Sequence, residues 1–360
     1  MKPIVKLREF MEKQGYEGVL LRKRSNFSWL TEGRKNHIVL SDPLGVCDLL
    51  VFQDTVYMIT NKMEEKRLAE EEAELFSFPV EVKSVDWTES TDSLILPLIK
   101  GKNVVADVPY AWLKTIDTEL ISVRSALSGA EMDRYRQVCR DAATALETTC
   151  RRLKPGMQET EIAAMLNSEA ISRDLIVHVG LVATDERIYR YRHPIPTSKK
   201  LEKHAMLVIC AERGGLVANA TRFVYFGKLS ESLEENKQKL ARIDLAMNLA
   251  TVPGKKMGDV IKAGMEEYRN AGFPEDWRLL HQGGLTGYAT REFLATPESA
   301  EEIQIHQAFA WNPALPGIKS EDTILVTENG IEFMTHTGDW PYIRLESGRN
   351  IYHRPDILCR

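Results

Sequence analysis

The chain has 360 residues, 43% of them apolar and 28% charged, which is ample material for globular cores and too much for one ordinary core. A net charge of −5 argues against a nucleic-acid partner, which usually calls for a basic patch or stripe. Five scattered cysteines (Cys47, Cys139, Cys150, Cys210 and Cys359) form no CxxC pair, which argues against a disulfide framework or a zinc knuckle. No apolar run approaches the ~18 residues of a membrane span, so the expectation is a soluble, cytoplasmic protein with no membrane partner.

Residues 3–14 set apolar side chains at helical spacing among charges, an amphipathic helix and not a signal peptide. EGVLLR reads as a strand and NFSWLTEG as a turn into a short segment. HIVLSD, DLLVFQ and TVYMIT follow as consecutive strands rich in Val, Ile, Leu and Tyr. KMEEKRLAEEEAEL (62–75) is a charged helix, NVVADVP a strand and AWLKTIDTEL a helix. A short strand around Leu120–Val123 and Gly129 mark a boundary. The pattern predicts an α/β domain with a mixed sheet over residues 1–125 and a second domain over 126–360.

The second domain opens with a long amphipathic helix, 129–153, and a further helix from Gln158 to Asp174. LKPGMQETEIAAML (153–166) and TVPGKKMGDVIKAGM (251–265) then share Pro-Gly followed by an acid at equal offsets. Pro155 matches Pro253, Gly156 matches Gly254 and Glu161 matches Asp259. Pro-Gly before a helix is a common start signal. The repeated order of helix, turn, helix and strands points further, to a duplicated half with a cleft between the copies. HAMLVICAERGGLVANATRFVYFG reads as two strands around a Glu-Arg-Gly-Gly turn. QAFAWNP, KSEDTILVTE and GIEFMTH continue an antiparallel sheet with helices on its outer face.

Candidate site residues gather at strand ends and glycine-rich turns: His193, Asn219, Arg222, His281, Arg291, Glu292, Asn312 and Glu321. No HExxH, P-loop, GxSxG or EF-hand pattern occurs. HQGGLTGYATRE lacks the spacing and the lysine of a phosphate cradle, so no cofactor is expected. Arg222 reads as the structural partner of a buried carboxylate and Cys210 as core. Tyr288 and Trp311 fit either a core or a cleft wall.

Four blocks resemble the pita-bread hydrolases, the family of Xaa-Pro aminopeptidases, prolidases, methionine aminopeptidases and creatinase. RHPIPTSKKLEKH (192–204) is similar to their HPxPT segment, and GGLVANATRFVYFG (214–227) to their GYxxDxTRTxxxG strand pair. HQGGLTGYATRE (281–292) sits where they carry GHGIG to HE, and GIKSEDTILVTENG (317–330) is close to GxRxEDTxLVTExG. The resemblance implies an N-terminal creatinase/prolidase-type domain followed by a pita-bread domain with a curved antiparallel sheet. It also implies a homodimer in which the segment SNFSWLTEGR brings Arg34 toward the partner's cleft.

Peptidases of this family hold two metal ions through five side chains. Carried over by motif, those positions fall on Val208, Asn219, Gly284, Asn312 and Glu321, so a single carboxylate remains. Valine and glycine offer no donor and amides no charge, so no metal is expected. The family's second cleft histidine falls on Arg291, next to Glu292, and its HPxPT histidine on His193. The resemblance therefore implies catalytic roles for His193 and Glu321. Arg291, Asn219, Asn312, His281, Glu292 and Arg34 are implied as binding residues for a small-molecule or short-peptide substrate carrying a carboxylate. Three readings follow: a metal-independent C–N hydrolase, a non-catalytic binding protein, and an Xaa-Pro peptidase with unusual ligands. Asn219 and Asn312 are also open to a blander reading, as relics that satisfy each other's hydrogen bonds.

Overall fold

The computed structural model describes residues 1–360 and divides by internal contacts into two units, Met1–Glu131 with Gly214–Leu216, and Met132–Arg213 with Val217–Arg360. The first unit begins with α1 (Pro3–Gln14), which has proline in its first turn and a left-handed Gly15 cap at φ 71°. Its mixed sheet contains β1 (Gly18–Lys23), β2 (Leu44–Phe52), β3 (Val56–Asn61), β4 (Glu81–Val85), β5 (Val104–Ala106) and β6 (Lys114–Thr115). The spatial order is β4-β3-β2-β1-β5-β6, antiparallel through β1, β2 and β3 and parallel at both flanks. Helices α2 (Arg24–Leu30), α3 (Lys62–Arg67), α4 (Asp92–Ile99) and α5 (Asp117–Arg124) connect the strands.

Five local expectations fail in this unit. NFSWLTEG is mostly helix, lying in α2 to Leu30, and AWLKTIDTEL holds strand β6 at Lys114–Thr115 before α5 begins at Asp117. HIVLSD forms no strand, and Ile38, Val39 and Leu40 are each more than half exposed. A β-branched run makes a strand only where a partner edge takes its hydrogen bonds, and here β2 has its neighbours in β1 and β3. Leu120–Val123 lies inside α5, where buried Leu120 and Arg124 recur at helical spacing. The charged helix 62–75 is α-helical only to Arg67. It then widens to a π-turn over Leu68–Glu72 and tightens to a 3₁₀ turn over Ala73–Leu75.

The second unit carries the repeat foreseen in the sequence. The long α6 (Gly129–Arg152) leads into α7 (Glu159–Ile171), which opens on a reciprocal capping box of Gln158 and Glu161. Strand β7 (Ile176–Thr184), the short α8 (Glu186–Arg190), and strands β8 (His204–Arg213) and β9 (Leu216–Tyr225) complete the first half. The second half repeats the order with α9 (Glu231–Ala250), α10 (Met257–Asn270), β10 (Gly283–Thr286), β11 (Phe293–Leu294) and β12 (Ala308–Trp311). The two-residue strands β13 (Ala314–Leu315) and β14 (Ile318–Lys319) make a small hairpin before β15 (Asp322–Thr327) and β16 (Gly330–Phe333).

Both Pro-Gly turns close in the same way. Gly156 N–H donates to Leu201 O at 2.7 Å and Gly254 N–H to Ile303 O at 2.9 Å. An isolated bridge follows each, Gln158 to Lys200 and Lys256 to Glu302. Two helix starts that merely shared a signal would not also share the chain they close upon.

The C-terminal segment adds β17 (Tyr342–Ser347), β18 (Asn350–Pro355) and β19 (Ile357–Cys359). One sheet runs β19-β9-β8-β7 and another β11-β10-β12-β15-β16. A buried ion network ties these layers together. Arg222 on β9 meets Glu147 of α6 at 3.2 Å and Asp322 of β15 at 3.0 Å, and Arg354 of β18 meets Asp322 at 2.7 Å and also Asp244 of α9. Burial opposes the charge on Asp322, but Arg222 and Arg354 hold its carboxyl far below the usual range. Arg222 is thus structural, as the sequence suggested.

Candidate functional site

The site follows from the alternation of side chains along an extended chain. Asp322 faces the ion network, so its neighbour Glu321 faces the other way, and Lys319, two residues earlier, faces with Glu321. Lys319 Nζ donates to Glu321 Oε2 at 2.7 Å, and Thr221 Oγ1 donates to the same oxygen at 2.9 Å. The other oxygen, Oε1, accepts from Arg291 Nη2 at 2.8 Å. Burial alone would raise the Glu321 pKa, but the Lys319 and Arg291 charges and their hydrogen bonds pull it down to about 2.

Strands β9 and β15 are fastened beside this cluster. Asn219 N–H donates to Thr323 Oγ1 at 2.8 Å, and that hydroxyl donates to Asn219 O at 3.0 Å. The Asn219 side chain accepts from Arg291 Nη1 at 2.9 Å and donates to Thr286 Oγ1 at 3.0 Å. Arg291 comes from the turn between β10 and β11, and its Nε is buried without a hydrogen-bond partner. Asn312 lies across from Glu321, because Trp311 pairs with Asp322 in the register of β12 and β15. Its backbone N–H donates to Gln282 O at 3.1 Å, while its side-chain Oδ1 is buried with no partner. The expectation that the two asparagines satisfy each other is therefore wrong, since Arg291 and Thr286 have taken up Asn219.

His193 and His281 lie side by side, their rings 5.8 Å apart and tilted by 35°. Desolvation and then the Lys319 charge lower the His193 pKa below its ordinary 6.5. Desolvation and then Arg291 bring His281 down to about 4. Both imidazoles are therefore neutral at pH 7, within electrostatic reach of Lys319, Arg291 and Glu321.

Other expected residues are used differently. Glu292 Oε1 accepts from Tyr288 N–H at 3.0 Å, so Glu292 closes its own turn. Arg34 belongs to the first unit, where its carbonyl accepts from Ser28 Oγ at 2.8 Å. Glu321, which the resemblance marks as catalytic, accepts hydrogen bonds from the chain's own Lys319 and Arg291. With both oxygens engaged and a pKa near 2, Glu321 is a weak base and serves as an electrostatic clamp. Trp311 is core, stacked on Phe309 and donating its indole N–H to Thr251 at 2.9 Å. Cys210 is buried, as expected.

Lys319 is the residue that sequence reading missed. It stands at the arginine position of the GxRxEDT motif and passes for a conservative replacement there. The usable signal was its two-residue spacing from Glu321 on an extended segment.

The five positions do not fit a pair of metal ions. A Cβ on Gly284 would stand 2.1 Å from Phe293 O, so no ligand side chain can project from that backbone. Val208 is buried on β8, Asn219 and Asn312 are uncharged, and Glu321 is bound on both sides by cations of the protein. No group of three or more His, Cys, Asp or Glu side chains is arranged to hold a metal ion.

This fold is shared with solved prolidase structures. Residues 133–328 match metallopeptidase family M24, and residues 3–138 match the creatinase/prolidase N-terminal domain. The chain belongs to metallopeptidase family M24 and has its pita-bread fold. Among curated relatives it is 22% identical to a Xaa-Pro dipeptidase of Pyrococcus horikoshii, over 93% of this chain and 97% of that protein. It is 25% identical to an uncharacterised peptidase of Staphylococcus haemolyticus, over 61% of this chain but only 65% of that protein's length. The crystal structure of the Pyrococcus horikoshii prolidase superposes with a TM-score of 0.78 at 18% identity, covering 94% of this chain and 99% of that one.

Proposed function

We propose that the chain is a metal-independent hydrolase of a C–N bond in a small molecule or short peptide carrying a carboxylate. One observation carries this reading: Lys319 and Arg291 stand on Glu321, the one metal-site carboxylate left, and give the cluster a net positive charge. Such a cluster attracts an anion and repels a divalent cation. Arg291 offers its unpaired Nε to the substrate carboxylate, and the remaining N–H groups of Lys319 oppose the charge that develops on the carbonyl oxygen. His193, neutral at working pH, takes a proton from water as the water oxygen adds to the carbonyl carbon. The C–N bond then breaks, and His193 returns the proton to the leaving nitrogen. The working form on this reading is a cytoplasmic homodimer, with Arg34 contributing from the partner protomer.

The test is a panel of Xaa-Pro dipeptides, guanidino acids and N-acyl amino acids assayed with EDTA present. Cleavage that survives EDTA and falls at least about a hundredfold in His193→Ala is the expected result. An activity left intact in that variant overturns the assignment of His193. A second reading, a binding protein without turnover, is favoured by the donorless Val208 and Gly284 positions. It is distinguished by ligand binding with no cleavage anywhere in the panel.

A further inference from the structure

Asn312 Oδ1 is the feature that the scheme above leaves unused. The residue is 1% exposed, yet its carbonyl oxygen has no hydrogen-bond partner. More than about 90% of buried polar groups are paired, so an unmet acceptor here is uncommon and destabilising. Gly283 lies against this oxygen. A Cβ on Gly283 would lie 2.8 Å from Oδ1, and Gly283, at φ 102°, has none. The backbone N–H of Asn312 is fixed to Gln282, and β12 and β15 set the residue directly across from Glu321. Arg291, whose Nε is likewise buried without a partner, is ion-paired to that same Glu321.

We infer that Asn312 reads the nitrogen of the scissile bond, so that the cleft takes an amide whose nitrogen bears hydrogen and passes over a proline imide. The inference rests on the carboxylate-binding reading above and narrows it. With the carboxylate on Arg291, an N-acyl amino acid or an ordinary dipeptide presents an N–H that Asn312 can accept. An Xaa-Pro bond has no hydrogen on that nitrogen and leaves the amide oxygen unsatisfied. A site built to hydrogen-bond an N–H discriminates strongly against the analogue that lacks it.

The experiment is equilibrium binding of two matched pairs to the intact protein by calorimetry: N-acetylglycine against N-acetylsarcosine, and glycylglycine against glycylsarcosine. In each pair the second member replaces the amide hydrogen with a methyl group. The expected result is about tenfold or more tighter binding of the N–H member. That preference should disappear in Asn312→Ala. Equal affinity within the pairs overturns the inference and leaves the carboxylate reading standing, while absence of binding by all four overturns both. A preference that persists unchanged in Asn312→Ala also overturns it. The comparison within wild-type protein stands even if the variant does not fold.

Discussion

His204 shows what one buried polar side chain does to the response of the whole fold to pH. It is 3% exposed, packs against Phe223 and Tyr225 with ring centres 5.5 and 5.3 Å away, and both ring nitrogens lack hydrogen-bond partners. Burial lowers its pKa from 6.5 to about 4. An unfolded chain binds the proton near 6.5, and the folded chain does so only near 4. The contribution of His204 to stability is therefore intact above pH 6.5 and is lost as the pH falls toward 4, by about 3 kcal/mol at the lower limit. Urea denaturation of wild type and His204→Phe between pH 7 and 4 checks this. The variant should lose less stability over that interval, and parallel pH profiles would count against the argument. Glu321 acts in the same direction at lower pH: its contribution is present above 4.5 and is lost as the pH falls toward 2.

At the scale of elements, the alternation along β15 separates two tasks within two residues. Asp322 helps lock the strand to α6, β9, α9 and β18, and Glu321 holds the cluster. Replacing Arg222 with methionine leaves Asp322 and Glu147 short of one cation, at an expected cost of about 3–5 kcal/mol, the size found for other broken buried pairs. Pairing it with Asp322→Asn should cost less than the sum of the single changes, as read from denaturation midpoints; strict additivity would argue against coupling.

Much of this was legible in the residues. The Pro-Gly repeat, the strand pairs and the role of Arg222 follow from spacing and charge along the chain. The clamp of Lys319, Arg291 and Glu321 was half legible. Arg291 and Glu321 lie 30 residues apart in sequence, and only the strand register brings them to 2.8 Å. Asn312 failed to meet Asn219 for the same reason, since lateral neighbours decide a side chain's partners and the sequence records only axial ones. The misread strand at 37–42 and helix at 117–124 were decided by edges and burial, not by propensity.

For the molecule as a whole, the charges of the cluster predict its inorganic chemistry. Protein purified without chelator should carry well under one transition-metal equivalent per chain by elemental analysis, and EDTA should leave its melting temperature unchanged. Two tightly bound metals per chain would overturn the account of the site. The twin closures of the Pro-Gly turns carry one more consequence. They mark two halves that open in the same way, yet Lys319, Arg291 and Glu321 all come from the later half, and the earlier one adds neutral Asn219, Thr221 and His193. A scaffold with matched halves and matched charges would hold a small guest either way round. Here the charges are one-sided, so on the proposed reading a guest with a single charged end takes one orientation, head toward the second half and tail toward the first.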